Sequence, residues 1–175
     1  GTHPNLTVSF SGLTIRYGDN NIPTSDPDFA FTGGGVDVYF TGSGNSTTFT
    51  DCVISNNRSR TSYGGGLNVD SSAAGTNTLT LTNVTFSNNS TMSTTSTSHG
   101  GALNVFGNNV TVNISNNTFT NNTVPTGASY GGAINSRPNS GSLTIDITVF
   151  SGNSAWYGGA IFADFGPVTI TYSRI

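Results

Sequence analysis

The chain has 175 residues, a net charge of −3 and only 7% Asp, Glu, Lys and Arg, against about 25% in ordinary soluble domains. Its five basic residues are all arginines, too few for a nucleic-acid-binding surface, because phosphate recognition needs clustered positive charge. Glu, Gln and Lys are absent, whereas Thr, Ser, Asn and Gly number 28, 23, 22 and 23. This composition lacks strong helix formers and favours strands and turns, so we expect a single all-β domain over residues 1–175.

An apolar alternation recurs six times along the chain. Its pattern is φ-x-φ-x-x-φ-x-φ, where φ is usually apolar, and the copies begin at Val8, Thr47, Leu79, Val112, Leu143 and Val168. A period of two predicts short strands with one buried face, and the two intervening residues predict a corner between them. No apolar stretch approaches the roughly 20 residues that cross a bilayer, so we expect no membrane span.

A Gly-Gly step follows five of these alternations and predicts a third strand. The five segments are residues 33–36, 64–67, 100–103, 131–134 and 158–161. Such repeats bury their apolar stripes only by stacking, so the sequence predicts a right-handed parallel β-helix of about five and a half coils, with about three short strands per coil. The expected coils are approximately residues 6–46, 47–78, 79–111, 112–142 and 143–167, with a partial coil at 168–175.

Three residue types recur at equivalent positions and predict structural ladders. The amide ladder consists of Asn57, Asn89, Asn122 and Asn153, which we expect to bond from coil to coil and to adopt left-handed backbone conformations. The phenylalanine column consists of Phe86, Phe119 and Phe150, in line with Ile54 and Ile175. The aromatic column consists of Tyr63, His99, Tyr130 and Tyr157, each directly before a Gly-Gly step. We interpret all three as stacking that stabilises the fold.

The motifs resemble a known class of surface protein. Phe-Ser-Asn-Asn (86–89), Phe-Thr-Asn-Asn (119–122) and Phe-Ser-Gly-Asn (150–153) each precede Gly-Gly-Ala-Leu or Gly-Gly-Ala-Ile. They are similar to the FxxN and GGA(I/L) repeats of polymorphic outer-membrane-protein type proteins, which are bacterial β-helical passengers and adhesins. The resemblance implies an extracellular or cell-surface location. The first coil departs from the pattern, because Gly18 stands where the ladder Asn is expected.

Catalytic and metal sites are not expected. Polysaccharide cleavage on a β-helix needs two carboxylates about 5–9 Å apart, or a metal with a base. The candidates fall at different phases of the coil: Asp37, Asp51, Asp70, Asp146 and Asp164. The 19–28 loop has three carboxylates but lacks the ligand spacing of a calcium loop, so we interpret it as a solvated turn. We therefore expect no enzyme activity, no metal and no cofactor.

The outward positions of the first strand form a regular array of polar side chains. The pairs, coil by coil, are Ser9 and Ser11, Thr48 and Thr50, Thr80 and Thr82, Thr111 and Asn113, Thr144 and Asp146, Thr169 and Thr171. This array resembles the Thr-x-Thr face of β-helical antifreeze proteins and implies an ice- or glycan-binding face. Thr is also a good exposed strand residue in its own right, so both interpretations remain open. Two sequons, Asn83 and Asn113, are the expected glycosylation sites.

The two ends of the repeat pattern predict head-to-tail self-association. Val8, Phe10 and Ile15 of one copy would lie over Val168, Ile170 and Ile175 of another. A piece cut from a longer repeat array would have the same open ends. We therefore expect a non-enzymatic extracellular structural protein, either the rod of a surface adhesin or passenger or the subunit of a filament. Its partners would be further copies, surface glycans or ligands on host cells, and not nucleic acid.

Overall fold

The protein is a parallel β-solenoid in a computed structural model that describes residues 5–20, 33–93, 97–125 and 127–175. These residues form 21 strands and no helix. Sheet 1 contains β1 (Thr7–Ser11), β5 (Ser46–Thr50), β9 (Asn77–Thr82), β14 (Val110–Ser115), β18 (Ser142–Asp146) and β21 (Val168–Thr171). Sheet 2 contains β2 (Thr14–Arg16), β6 (Val53–Ser55), β10 (Thr85–Ser87), β15 (Thr118–Thr120) and β19 (Val149–Ser151).

The remaining strands form sheet 3 and two short ladders, which extend over only some of the coils. Sheet 3 contains β4 (Val36–Phe40), β8 (Leu67–Ser71), β13 (Leu103–Gly107), β17 (Ile134–Pro138) and β20 (Ile161–Ala163). The sequence template did not predict the two short ladders. The first contains β3 (Asp19–Asn20), β7 (Arg58–Ser59) and β11 (Ser90–Thr91). The second contains β12 (Ser98–His99) and β16 (Ser129–Tyr130). The predicted all-β parallel solenoid is confirmed, but the number of coils differs slightly from the predicted five and a half; sheet 1 has six strands, and sheets 2 and 3 have five each.

The core fills the space between the three sheets, because each strand alternates inward and outward residues. Leu79 and Leu81 of β9 are fully buried, and their partners on β14 are Val112 and Ile114. In sheet 2 the rings of Phe86 and Phe119 are stacked at 4.8 Å and those of Phe119 and Phe150 at 5.0 Å. The column continues in register to Ile54 and Ile15. At the other end, Arg174 forms a bridge with Val149, which places Ile175 beside Phe150.

Residues with a left-handed backbone conformation turn the chain at each corner, and they are not the ladder asparagines for which the sequence predicted this conformation. At the corner between sheets 2 and 3 the positive φ belongs to Asn56, Asn88, Asn121 and Gly152, with φ between 54° and 64°. The ladder residues Asn57, Asn89, Asn122 and Asn153 come one position later and do not have positive φ. The corner needs one left-handed residue, and the next side chain can then point inward to bond along the solenoid.

Each position of the Gly-Gly-Ala segment needs a small residue for a different reason. Gly100, Gly131 and the equivalent glycines have positive φ. A Cβ on the next glycine, Gly101, would lie 2.2 Å from the carbonyl oxygen of Gly132 in the following coil, so no side chain fits there. Ala102 and Ala133 then follow and are fully buried. The three small residues thus allow the chain to enter sheet 3 at the close spacing of stacked coils.

Candidate functional site

The outer face of sheet 1 is the most regular polar surface of the solenoid. Its six strands carry inward residues that anchor them in the core, while the outward residues are all partly or fully exposed. Neighbouring strands lie about 4.8 Å apart and outward residues on one strand about 6.6 Å apart, so the outward side chains form a lattice. Asp146 is the one charged member among the outward residues of these strands.

The strand register corrects the predicted pairing in the fourth coil. Asn113 is the partner of both Thr80 and Thr144, and Ser115 is the partner of Thr82 and Asp146. Thr111 instead pairs with Thr78 and Ser142 in a third column. Thr111 precedes Val112, the first inward residue of the fourth copy, whereas the outward residues of the other pairs follow the inward residue; the equivalents of those pairs are therefore Asn113 and Ser115.

The lattice therefore has three columns. The first contains Ser9, Thr48, Thr80, Asn113, Thr144 and Thr169; the second contains Ser11, Thr50, Thr82, Ser115, Asp146 and Thr171; the third contains Thr7, Ser46, Thr78, Thr111 and Ser142. Some hydroxyls bond within the lattice: Thr171 Oγ1 donates to Asp146 Oδ1 at 2.7 Å, and Ser46 Oγ lies 3.1 Å from Thr7 Oγ1. The remaining hydroxyls and amides can present a repeating set of donors and acceptors to a flat ligand.

The amide ladder lies inside the corner between sheets 2 and 3. Asn57 Nδ2 donates to Asn89 Oδ1 at 3.0 Å, Asn89 Nδ2 to Asn122 Oδ1 at 3.0 Å, and Asn122 Nδ2 to Asn153 Oδ1 at 2.9 Å. Each Oδ1 also accepts from the backbone N–H of the preceding ladder residue. In the first coil, the backbone N–H of Gly18 donates to Asn57 Oδ1 at 2.9 Å. Asn57, Asn89 and Asn122 are buried, and only Asn153 at the end of the ladder is partly exposed.

A second amide ladder lies on sheet 3, where the repeat template predicts none. Asn135 Nδ2 donates to Asn104 Oδ1 at 2.7 Å, Asn104 Nδ2 to Asn68 Oδ1 at 2.8 Å, and Asn68 Nδ2 to Asp37 Oδ1 at 2.8 Å. The signal was present, since an Asn directly follows the apolar residue of the Gly-Gly motif in three coils. It was overlooked because the template ended at that apolar residue.

The predicted aromatic column is also continuous. Tyr63, His99, Tyr130 and Tyr157 stack in order, with centroid distances of 5.3, 5.2 and 5.1 Å. His99 is 6% exposed, and its Nε2 lies 3.1 Å from Thr97 Oγ1. Burial lowers the pKa of His99 to about 4, and the charge of Arg137 acts in the same direction. His99 is therefore a neutral ring in the stack at physiological pH.

Two of the five acids weighed as catalytic candidates lie near one another. Asp37 and Asp70 are on the adjacent strands β4 and β8, at different positions of the coil as the sequence predicts: Asp37 pairs with Asn68, and Asp70 pairs with Tyr39. Burial raises the pKa of both carboxyls, and in Asp70 the charge of Asp37 adds a smaller rise. Asp37 accepts from the Asn68 amide, and Asp70 accepts from the backbone N–H of Ser71 at 2.7 Å. Both carboxylates thus already have structural partners, and the absence of enzyme activity stays a prediction.

Asp19, from the loop considered for calcium, is part of an ion-pair cluster. Its carboxylate accepts from Arg60 Nε at 2.9 Å and from Arg58 at 2.7 Å, and these two bonds hold the pKa of Asp19 well below its ordinary value. Residues 21–28 of that loop lie outside the described residues. Within the described ranges no three His, Cys, Asp or Glu side chains lie close enough together to hold a metal ion.

The two predicted glycosylation sites have different surroundings. Asn83 is exposed at the corner between sheets 1 and 2, where its Nδ2 donates to Asp51 Oδ1 at 2.6 Å and its Oδ1 accepts from Asn116 Nδ2 at 3.4 Å. Asn113 is half-buried in the first column of the lattice. A glycan on Asn83 would replace one Nδ2 hydrogen at the edge of the lattice. A glycan on Asn113 would cover the lattice itself.

The residues predicted to mediate self-association lie at the two ends of the solenoid. Val8 and Phe10 line an apolar concavity of about 970 Å³ beside β4 and β5, and Ile15 is half-buried in β2. At the other end Val168, Ile170 and Ile175 are 45%, 42% and 67% exposed. In the part of the chain that the structure describes, no helix is long and apolar enough to span a membrane.

Comparison with known proteins identifies the repeat. Residues 83–105, 118–137 and 147–164 match the family model of the Chlamydia polymorphic membrane protein repeat. Each matched segment runs from a corner or strand of sheet 2 to a strand of sheet 3, and none includes a strand of sheet 1. No curated protein and no solved structure matches the chain. The resemblance inferred from the FxxN and GGA(I/L) motifs is confirmed for the repeat: the chain is a parallel β-helix with repeats of the polymorphic membrane protein type.

Proposed function

We propose that this chain is a β-helical rod on the outside of a cell, part of a surface adhesin or passenger protein. The observation that carries the proposal is the position of the three matched repeats on consecutive coils of one solenoid. The repeat is named for membrane proteins, and the hydroxyl-rich, sparsely charged surface suits an extracellular setting. In this proposal the matched segments stabilise the rod, and the sheet 1 lattice is the surface that meets a ligand.

The location is tested with antibodies raised against the chain. Intact cells of the source organism should be labelled as strongly as permeabilised cells. Labelling that appears only after permeabilisation would contradict the surface location.

The adhesive role is tested with beads coated with the chain and incubated with cultured host cells. Thr80→Lys with Thr144→Lys disturbs the first column of the lattice and should reduce binding. Thr14→Lys with Thr85→Lys is the matched control, because these threonines face outward from sheet 2 and are also two coils apart. Equal binding by both variants and the unaltered chain would exclude the lattice as the contact surface.

A second candidate function, binding to an ice or glycan lattice, is favoured by the three aligned columns of sheet 1. Ordered hydroxyls at about 4.8 by 6.6 Å can match a repeating surface. Asn113, Ser115 and Asp146 interrupt the threonine pattern in its middle. Thermal hysteresis and inhibition of ice recrystallisation measure this function for ice, and neither effect should remain in the Thr80→Lys, Thr144→Lys variant. Absence of both effects in the unaltered chain would remove the ice-binding candidate.

The prediction that the chain is not an enzyme has its own test. Incubation with a panel of acidic and neutral polysaccharides should release no reducing ends and no unsaturated products. If a polysaccharide were cleaved, Asp37→Asn and Asp70→Asn would show whether the neighbouring carboxyls are responsible.

A further inference from the structure

A small depression lies beside the chain's only tryptophan, away from the sheet 1 lattice. Its volume is about 290 Å³ and its apolar lining includes Val124, Pro125 and Ala155 together with Trp156. Trp156 is 75% exposed, whereas Val124 at the floor is 2% exposed. This volume is just below the roughly 300 Å³ of the smallest ordinary ligand pockets, so the depression has room only for a very small ligand or for one unit of a larger one.

The walls of the depression are held in place by bonds between neighbouring coils. The backbone N–H of Trp156 donates to Ser129 Oγ at 2.9 Å, and that of Tyr157 donates to the Ser129 carbonyl at 2.8 Å. On the other side, the N–H of Val124 donates to the Ser154 carbonyl at 2.9 Å. The backbone that carries Trp156 is therefore fixed on both sides, so a ligand would have to order only the indole side chain.

The polar groups of the depression are two serine hydroxyls. Ser129 is 1% exposed and lines the depression; since its oxygen accepts from Trp156, its hydroxyl hydrogen is the group left to point at a ligand. Ser154 is exposed at the rim. None of the described residues that line the depression is charged, so a carboxylate, phosphate or sulfate would lose its hydration without gaining a counter-charge from them.

We propose that the depression at Trp156 binds one neutral sugar residue. A pyranose has an apolar C–H face that stacks on the electron-rich face of an indole and a rim of hydroxyls that exchange bonds with Ser129 and Ser154. An aromatic platform, two hydroxyls and a neutral lining match both parts of this ligand. The proposal does not depend on the adhesin function, because it concerns a different surface of the solenoid.

Tryptophan fluorescence tests the proposal directly, since Trp156 is the only tryptophan in the chain. The unaltered chain is titrated with glucose, galactose, mannose and N-acetylglucosamine, and separately with galacturonic acid, to about 100 mM. We expect a saturable change in emission with at least one neutral sugar, with a millimolar dissociation constant, and no saturation with the acid. A linear or absent response to all neutral sugars would overturn the proposal.

Variants separate the depression from other aromatic surfaces, with binding measured by saturation-transfer NMR. Trp156→Ala should raise the dissociation constant at least about tenfold, and Ser154→Ala should raise it less. Tyr172→Ala is the control, because Tyr172 is 90% exposed but lies at the corner between sheets 1 and 2. Circular dichroism and the unfolding midpoint verify the fold of each variant. If Trp156→Ala bound the sugar as tightly as Tyr172→Ala, or if the depression took an apolar dye but no sugar, the assignment would be wrong.

Discussion

Single residues repeat from coil to coil, and Phe119 shows what one of them contributes. Its ring is fully buried between Phe86 and Phe150 and lies parallel to both, within 6°. Phe119→Ala removes the middle ring and leaves a cavity that the coils cannot close, because backbone ladders fix their spacing. We expect the free energy of unfolding to fall by about 3–5 kcal/mol, measured by urea denaturation.

Thr80→Ala is the control for this change. Thr80 points outward from β9 and leaves no cavity, so its substitution should alter stability by less than about 0.5 kcal/mol. Equal shifts of the unfolding midpoint by the two variants would mean that the assigned inward and outward faces are wrong.

Ile147 has a left-handed backbone conformation, which is unfavourable for a β-branched residue. It has φ of 46° at the corner between sheets 1 and 2, where other coils have Gly12, Asp51, Asn83 and Asn116. A left-handed conformation costs a β-branched residue about 1–2 kcal/mol, and Asn tolerates it better. Because the side chain is 54% exposed, Ile147→Asn removes little from the core. We expect this variant to raise the free energy of unfolding by about 1 kcal/mol.

Ile147→Val tests the cause of that gain. Valine is also β-branched and should keep the strain, so its midpoint should stay at or below that of the unaltered chain. An equal gain from valine and asparagine would show that backbone conformation is not responsible.

His99 predicts how stability depends on pH. Its pKa is about 4 in the folded chain and about 6.5 in an unfolded one. Between these values the unfolded chain binds a proton that the folded chain does not, so the free energy of unfolding falls as pH falls from about 6.5 to 4. Thermal unfolding at several pH values measures this loss.

His99→Tyr isolates the histidine in that experiment, because Tyr63 and Tyr130 already occupy the neighbouring positions of the column. The variant should lose less stability on acidification than the unaltered chain. The raised pKa values of Asp37 and Asp70 act in the opposite direction and are common to both proteins. Identical pH profiles for the two chains would contradict a buried neutral His99.

At the scale of elements, the amide ladder joins each corner to the next. Asn89 accepts from the backbone and side chain of Asn57, and donates to the Ile54 carbonyl at 2.8 Å and to Asn122. Asn89→Ala leaves several buried partners unsatisfied, each at a cost of about 1–3 kcal/mol before relaxation. We expect a loss of at least about 3 kcal/mol in urea denaturation.

Asn113→Ala makes the same chemical change on the outer face of sheet 1. Asn113 is half-buried and can exchange its bonds with water, so the loss should be below about 1 kcal/mol. Similar losses at both positions would indicate that the ladder contributes no more than a surface amide.

At the scale of the whole molecule, self-association of the 175-residue chain stays a prediction. The apolar concavity at Val8 and Phe10 and the exposed Val168 and Ile170 can continue the stack from one copy to another. Such a contact does not close on itself, so its product is a filament. Sedimentation velocity over a range of concentrations should show growing species, and electron microscopy should show rods longer than one solenoid.

Val168→Asp with Ile170→Asp should abolish this association by placing charges on the inward side of β21. Thr169→Asp is the matched control on the outward side of the same strand and should leave association unchanged. A chain that remains monomeric at high concentration, or variants that behave alike, would contradict head-to-tail stacking.

The sequence by itself determined the all-β class, the stacked coils, the phenylalanine column and the Asn ladder positions, because each depends on a short spacing repeated along the chain. The fold was needed to show which residue of each corner is left-handed, and that Asp37 and Asp70 lie on adjacent strands close enough for their charges to interact. The repeated apolar pattern sets the register between coils, but corner conformation and contacts between residues at different positions of the repeat depend on how the coils stack. The depression at Trp156 also needed the structure, since its walls come from two coils that meet only after stacking.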